Sequence, residues 1–208
     1  MQSYVTVDKK AKAELVEKRS RFIASVFPIK DEAEALSLIA AAKKEYWDAR
    51  HNVYAYILRE GGICRYTDDG EPSGTAGVPV LDVLKKRGIT DCLVIVTRYF
   101  GGVLLGTGGL VRAYSGATSL GLDAAGVVVA HPCTLFSIEC PYPDYEQLLR
   151  LCDEQKAMVD STEFLDSVTL NLLIKTDGFE EFKLKLTDKF GGRLTPEVVG
   201  EKYGFFDE

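Results

Sequence analysis

The chain has 208 residues, of which 46% are hydrophobic and 27% charged, and its formal net charge is −6. This composition is typical of a globular protein, and no apolar run approaches the ~20 residues that a membrane-spanning helix needs. Five cysteines without a CxxC pair, and an N-terminus without an apolar core, predict a reduced, cytoplasmic protein with neither a disulfide framework nor a secretory signal.

The first part of the chain alternates between strand and helix patterns. Strands are predicted at residues 4–7, 19–27, 52–59, 92–96 and 127–129. A helix is expected to begin after Asp31, with Glu34 completing a capping box. Its predicted buried stripe is Ala33, Leu36, Ala40 and Trp47. A polar loop at 65–75 and a short helix near 78–87 follow.

Residues 98–114, RYFGGVLLGTGGLVRAY, form the most distinctive segment. Its five glycines, Gly101, Gly102, Gly106, Gly108 and Gly109, lie between the strand at 92–96 and a predicted helix. The predicted N-cap of this helix is Thr107 and its apolar stripe is Leu110, Tyr114, Ala117 and Gly121. A glycine loop that opens a helix presents free N–H groups to an anion such as phosphate, and Arg98 and Arg112 add donors. The alternative is that the glycines only permit tight turns and close packing, because the segment matches neither GxGxxG nor GxxxxGK[ST].

A second polar segment, Asp68-Asp69-Gly70-Glu71-Pro72-Ser73-Gly74-Thr75, combines three carboxylates with two hydroxyls. Asp68 and Asp69 are candidate ligands for Mg²⁺, and no other cofactor is expected. Acid–base catalysis would draw on His51, Asp68, Asp69 or Glu71. A Ser-His-Asp triad would combine Ser73 and His51 with Asp68 or Asp69, although GEPSG is not the GxSxG of a nucleophile elbow. The alternative is a solvated turn, for which these residue types are standard.

Residues 132–208 predict a βαββαβ unit. The predicted strands are 134–139, 157–164, 167–176 and 194–203. Two helices are indicated by the stripes Tyr145, Leu148, Leu149 and Cys152, and Phe179, Phe182, Leu186 and Phe190, with Gly191 and Gly192 as the C-cap of the second. This element order is that of a ferredoxin-like sandwich. The sequence therefore predicts an α+β protein with two domains, residues 1–131 and 132–208.

The charge is divided unevenly between these parts. Residues 1–132 carry 17 Lys and Arg against 15 Asp and Glu, a net charge of +2, whereas residues 133–208 carry 8 against 16, a net charge of −8. Because phosphate is held by clustered cations, an RNA contact is expected on the first domain, and the acidic second domain is not expected to contact nucleic acid broadly. The alternative is that the asymmetry serves only solubility.

Three segments carry a resemblance to a known family. His51–Tyr56, Asp68–Pro79 and Val96–Tyr114 resemble, in order, the signature blocks of the YigZ/IMPACT family. The resemblance implies a first domain with a left-handed βαβ fold, similar to domain IV of elongation factor G, and a ferredoxin-like second domain similar to its domain V. It also implies a signature surface that contains His51, Asp68, Asp69, Glu71, Ser73, Arg98, Arg112 and the glycines between the arginines.

The resemblance also bears on function. Eukaryotic members of the family are linked to translation under amino-acid stress through a protein partner. We expect the chain not to carry the domain that binds that partner. Nucleic-acid binding has been proposed for bacterial members, and the shared fold by itself does not settle the chemistry.

Two functional hypotheses follow. The first is a translation-linked protein that binds RNA or a ribosomal site through Arg98 and Arg112, with further contacts from Lys85, Lys86 and Arg87. The second is a Mg²⁺-dependent enzyme, or a binder of a phosphorylated small molecule or nucleotide. Both require His51, the acidic loop and the glycine-rich segment to share one face of the first domain. The oligomeric state is not predicted.

Overall fold

The computed structural model describes residues 1–206 and divides into two compact units. The first unit spans Tyr4–Val129, and the second contains Met1–Ser3 and residues from 130 onward. The boundary falls within strand β7 (Val127–Cys140). The sequence predicts two strands here, at 127–129 and 134–139, whereas the structure has one, because the φ of Pro132 is compatible with extended backbone.

The first unit contains six strands and three helices among the residues that the structure describes. The strands are β1 (Tyr4–Val7), β2 (Ala11–Glu17), β3 (Ser20–Pro28), β4 (His51–Leu58), β5 (Ile63–Thr67) and β6 (Cys92–Tyr99). The helices are α1 (Glu32–Glu45), α2 (Gly77–Lys86) and α3 (Gly106–Ala125). Two strands were not predicted from the sequence: β2, whose inward positions are Ala11, Ala13 and Leu15, and β5, which lies partly in the predicted polar loop.

Five of these strands form an antiparallel sheet of order β2-β3-β6-β4-β5. β3 and β4 are both antiparallel to β6, which lies between them, so they are parallel to each other and connected through α1. This is a βαβ crossover with an inserted strand. Its left hand, implied by the family resemblance, stays a prediction.

Helices cover both faces of the sheet. α1 packs on Tyr56 and Ile95 through Ala35, Ile39 and Ala42. α2 and α3 cover the opposite face, which presents residues such as Val53, Ala55 and Val96.

The predicted buried stripe of α1 is wrong. Leu36 is 53% exposed and Trp47 is 82% exposed, because the helix rests on the sheet along the neighbouring stripe. The predicted N-cap is confirmed: the Asp31 carboxylate accepts a hydrogen bond from the Glu34 N–H at 2.8 Å. The carboxylate of Glu34 accepts from the Lys30 N–H at 3.0 Å, one residue earlier than a capping box requires.

α3 lies unusually close to the sheet at one glycine. A Cβ atom at Gly121 would lie 2.9 Å from side-chain carbons of both Ala24 and Val26 on β3. Glycine therefore sets the separation between this helix and the sheet. The approach fixes the long axis of α3, and with it the position of the helix N-terminus.

The second unit has the element order β7, α4 (Tyr142–Glu154), β8 (Met158–Phe164), β9 (Val168–Lys175), α5 (Phe179–Phe190) and β10 (Glu197–Phe205). Four strands pair antiparallel in the order β10-β7-β9-β8. The predicted ferredoxin-like βαββαβ order is confirmed. Gly191, in the left-handed conformation at φ 60°, ends α5, and the Gly192 N–H donates to the carbonyl of Thr187, as predicted for this C-cap.

Two further observations concern the whole described chain. All five cysteines are free thiols, four of them buried. Among residues 1–206, none of the helices has the length and apolar character that a membrane crossing requires.

Candidate functional site

A cavity of about 440 Å³ opens where β4 begins, β6 ends and α3 begins. Its wall includes His51 and Arg98, which face each other across the paired strands β4 and β6. The other lining residues are Arg50, Gly70, Glu71, Pro72, Phe100, Leu104, Leu105, Gly106, Thr107 and Leu110. The predicted convergence of His51, the acidic loop and the glycine-rich segment on one face is therefore confirmed.

Within the acidic loop, the Asp68 carboxylate accepts hydrogen bonds from the backbone. One carboxylate oxygen accepts hydrogen bonds from the N–H groups of Ala76 and Gly77 at 3.1 and 2.8 Å, and the other accepts from Gly74 at 2.8 Å. Ala76 and Gly77 form the start of α2, so the carboxylate also lies at the positive end of that helix. Asp68 thus fixes the backbone conformation of the loop through these three hydrogen bonds.

Asp69 ties the same loop to β4. Its carboxylate accepts from the Asn52 N–H at 2.6 Å and from Lys43 Nζ at 3.3 Å. Its carbonyl accepts from His51 Nδ1 at 2.7 Å, which places the proton of a neutral imidazole on Nδ1. Asp69 has a positive φ of 45°, a left-handed conformation that aspartate adopts more readily than most other residues.

No group of three or more His, Cys, Asp or Glu side chains within residues 1–206 is arranged to hold a metal ion. A Mg²⁺ ion bound by Asp68 and Asp69 stays a prediction, and such an ion would have to displace the backbone contacts that both carboxylates make.

Glu71 is the carboxylate that forms an ion pair with Arg98. Its side chain is 4% exposed, and Oε1 lies 2.5 Å from Nη1 of Arg98, whose side chain is 7% exposed. The same oxygen accepts from the Tyr114 hydroxyl at 2.9 Å and lies 3.8 Å from His51 Nε2. Burial, with Glu71 as the next cause, raises the pKa of Tyr114, so its hydroxyl remains a donor throughout the physiological range.

Arg98 has a second set of contacts beyond Glu71. Its Nη2 lies 3.4 Å from Ser20 Oγ, and its guanidinium carbon lies 5.3 and 5.7 Å from the ring centroids of Phe22 and Phe100. Arg98 Nε is buried and has no hydrogen-bond partner among the described residues. Unpaired buried donors of this kind are rare in folded proteins.

The glycine-rich segment approaches β3 closely. A Cβ atom at Gly101 would lie 2.0 Å from the carbonyl carbon of Arg19, so no side chain fits there. The Gly101 N–H donates to Ser20 Oγ at 3.2 Å, and Gly102 and Gly106 have φ values of 83° and 70°. These glycines direct the chain from the end of β6 to the beginning of α3.

The beginning of α3 differs from the prediction. The N-cap is Leu105 and not Thr107, and a leucine side chain cannot accept a hydrogen bond from the helix. The first turn, Gly106 to Gly109, carries no charge. Its N–H groups and the positive end of the helix dipole therefore remain available, and Gly106 and Thr107 line the cavity.

Arg112 and Ser73 do not line the cavity. Arg112 is exposed, and its Nη1 lies 3.6 Å from where a Cβ of Gly108 would be, so its charge lies over the first turn of α3. Ser73 is exposed on the acidic loop, while His51 contacts Asp69 and Glu71, so the residues of a Ser-His-Asp triad do not come together.

The basic segment Lys85, Lys86 and Arg87 lies far from the cavity. Arg87 Nη1 lies 2.5 Å from the carboxylate of Asp123, near the C-terminal end of α3. The cavity is at the other end of this helix, roughly 25 Å away at 1.5 Å per residue. The structure therefore does not bring this segment together with Arg98 at the cavity.

Sequence reasoning missed Ser20, Arg50 and Phe100, and it assigned Tyr114 only to an apolar stripe. Arg50 is exposed, and its guanidinium carbon lies 5.9 Å from the Phe100 ring. No carboxylate among residues 1–206 forms an ion pair with Arg50. The signal available in the sequence was adjacency, since Arg50 precedes His51 and Phe100 follows Arg98 by two residues.

Comparisons with known proteins agree with this architecture. Residues 18–122 match the family described as the Impact N-terminal domain, and residues 138–193 match a domain of unknown function (DUF1949). IMPACT family member YvyE of Bacillus subtilis is 38% identical over 192 residues, which cover 90% of this chain and 88% of that protein. IMPACT family member YigZ of Escherichia coli is 33% identical over 190 residues, which cover 88% and 92%. A crystal structure described as that of an hypothetical protein has 28% identity and a TM-score of 0.60, covering 96% of this chain and 98% of its own.

Proposed function

Since this chain belongs to the IMPACT family, we propose that it is a cytoplasmic, translation-linked protein that binds RNA, free or within a ribosomal site. The proposed contact is the cavity at the N-terminus of α3, with phosphate held by Arg98 and the free N–H groups of the first helical turn. The observation that carries the proposal is the uncapped N-terminus of α3, which opens on a cavity that Arg98 and the exposed Arg50 also line.

The charges around the cavity support an anionic ligand. Arg50, at the rim, and Arg112, over the first helical turn, form no ion pair with any carboxylate of the described chain, so their charge is available. Glu71 is the acidic residue in the wall, and its charge is compensated by Arg98 at 2.5 Å and by the hydroxyl of Tyr114. The two exposed arginines therefore leave unpaired positive charge beside the cavity although the whole chain carries −6.

An aromatic surface beside the arginines supports RNA over a simple anion. Phe100 is 42% exposed, and two guanidinium groups lie within 6.0 Å of its ring centre. Leu104, in the same wall, is 83% exposed. An unpaired base can stack on an exposed aromatic ring while the phosphate of the same nucleotide binds the neighbouring arginines.

Titration of a single-stranded oligoribonucleotide and of tRNA, followed by the fluorescence of Trp47, tests the proposal. Trp47 is the single tryptophan of the chain and is 82% exposed, three residues before Arg50. Arg50→Gln/Arg112→Gln removes two exposed charges without disturbing the buried Arg98–Glu71 pair. Two lost contacts to a single strand make the slope of log affinity against log salt shallower by about 1.4.

Lys85→Gln/Lys86→Gln is the matched control, because it removes the same charge from the last turn of α2, outside the cavity. Its salt slope and affinity should equal those of the wild type. The proposal is wrong if the wild type fails to bind at about 50 mM salt, or if both double variants weaken binding equally.

A second candidate function is the binding or turnover of a phosphorylated small molecule or nucleotide with Mg²⁺. The cavity volume of about 440 Å³ lies in the range of small-ligand sites, and His51 presents Nε2 toward Glu71 inside it. Thermal-shift measurements with nucleotides, with and without Mg²⁺, distinguish the two functions. A stabilisation that requires both Mg²⁺ and Asp69 would favour this candidate over RNA binding.

A further inference from the structure

The hairpin turn between β2 and β3 has an unexpected sequence for its geometry. Glu17 and Ser20 are paired across the strands, so Lys18 and Arg19 alone form the loop. Both have positive φ values, 45° and 68°. Positive φ at both loop positions is the signature of a type I′ turn, which strongly prefers Asn-Gly. Two long cationic side chains thus occupy positions where they strain the backbone.

This strained turn is joined directly to the candidate site. The backbone of Arg19 packs on Gly101, where any side chain would collide with the Arg19 carbonyl. The next residue, Ser20, accepts from the Gly101 N–H through its hydroxyl and lies 3.4 Å from Arg98 Nη2. The turn, the glycine-rich segment and Arg98 are therefore connected through direct contacts at Gly101 and Ser20.

The cationic side chains of the turn are not paired with a carboxylate of the described residues, whereas the neighbouring Arg21 is. Arg21, two residues after Arg19, pairs with Glu14 at 2.8 Å and lies over the ring of Tyr99. Lys18 and Arg19 are exposed, and neither forms an ion pair with a carboxylate within residues 1–206. Asn-Gly would relieve the strain of this turn, yet the turn holds two exposed cations. A strained backbone kept in this way indicates a functional constraint.

We infer that Lys18 and Arg19 form a second phosphate contact of the RNA interface. They would hold the backbone of a single strand as it leaves the cavity. This inference rests on the proposed function, because it requires RNA in the cavity. It adds that the ligand is an extended phosphodiester chain, since a lone nucleotide would not reach both contacts.

The test compares two substitutions of the turn by anisotropy of a fluorescein-labelled single-stranded oligoribonucleotide. Lys18→Asn/Arg19→Gly supplies the residues that the turn prefers, so its Tm should be equal to or higher than that of the wild type. Lys18→Gln/Arg19→Gln removes only the charge. Both should bind about 20-fold more weakly at ~0.1 M salt, the loss expected for two single-strand phosphate contacts. Lys85→Gln/Lys86→Gln should bind like the wild type.

The outcomes separate this inference from the proposed function. If the wild type does not bind the oligonucleotide, the proposed function fails. If the wild type binds and Lys18→Gln/Arg19→Gln binds equally well, only the turn contact is refuted. The same conclusion follows if the Asn-Gly variant loses affinity while the glutamine variant keeps it, because turn geometry and not charge would then be responsible.

Discussion

The buried ion pair between Glu71 and Arg98 is expected to be the strongest single electrostatic determinant of stability in the first unit. The Glu71→Gln substitution removes the negative charge and leaves the Arg98 guanidinium buried beside a neutral amide. The two side chains are 4% and 7% exposed, so water cannot take over the lost interaction. Breaking a buried pair in this way costs about 3–5 kcal/mol. Because the Gln amide oxygen can still accept from Tyr114, we expect a loss of about 3 kcal/mol in the free energy of unfolding.

A double-mutant cycle with Arg98→Met separates the pair from its surroundings. Arg98→Met alone leaves Glu71 charged and buried, and it should cost a similar ~3 kcal/mol. The double variant contains no buried charge, so it should lose about as much as one single variant, a coupling energy of about 3 kcal/mol.

Urea unfolding followed by far-ultraviolet circular dichroism gives the free energies. Trp47 fluorescence assigns the transition to the first unit, because that unit contains the single tryptophan. Glu45→Gln is the matched control: Glu45 pairs with Lys12 at 2.7 Å, but both side chains are about half exposed, so the loss should be far smaller. The reasoning is refuted if Glu71→Gln costs no more than Glu45→Gln, or if the single substitutions add.

Three further predictions concern the loop, the close approach and the second unit. Asp68→Ala removes the acceptor of three backbone N–H groups and should lower the free energy of unfolding in urea by about 3 kcal/mol. Asp68→Asn should lower it less, and equal losses in the two variants would contradict this role of Asp68. Gly101→Ala should lower the free energy of unfolding by at least about 2 kcal/mol, because its Cβ would overlap the Arg19 carbonyl, while Gly200→Ala, with open space around it, should be nearly neutral. Burial raises the pKa of Cys152 from 9.0 to about 12. The unfolded thiol ionises first, so unfolding becomes easier as pH rises from about 9 toward 12. Cys152→Ala should flatten this dependence in stability measured against pH, and an unchanged slope would exclude Cys152 as its source.

The accuracy of the sequence predictions followed the strength of the local pattern. The second unit was predicted element by element, because strands such as Val168–Lys175 alternate strictly and α5 buries four large residues at regular spacing. The stripe of α1 was wrong because EAEALSLIAAAKKE offers two nearly equivalent apolar faces, and alanine contributes little to the choice between them. Tertiary packing against the sheet decides this choice.

The site shows the same division between local and tertiary information. The sequence identified the acidic loop and the glycine-rich segment, and the topology brought them together. The sequence could not indicate which carboxylate pairs with Arg98. Asp68, Asp69 and Glu71 lie within four residues of one another and differ only in what they face. Asp68 and Asp69 face backbone N–H groups and Glu71 faces the cavity, a distinction set by the fold of the loop. Ser20 was missed because its partners lie 78 and 81 residues away in the sequence.

The Asp68 carboxylate accepts hydrogen bonds from the N–H groups of Gly74, Ala76 and Gly77, and this has a consequence for the kinetics of ligand binding. A loop whose backbone is already fixed by its own carboxylate loses little conformational entropy when a ligand arrives. Association at the cavity should therefore occur in a single step, with an observed rate that rises linearly with ligand concentration and shows no plateau from a slow closing motion. In the Asp68→Ala variant the loop has to become ordered during binding, so the rate should saturate at high ligand concentration.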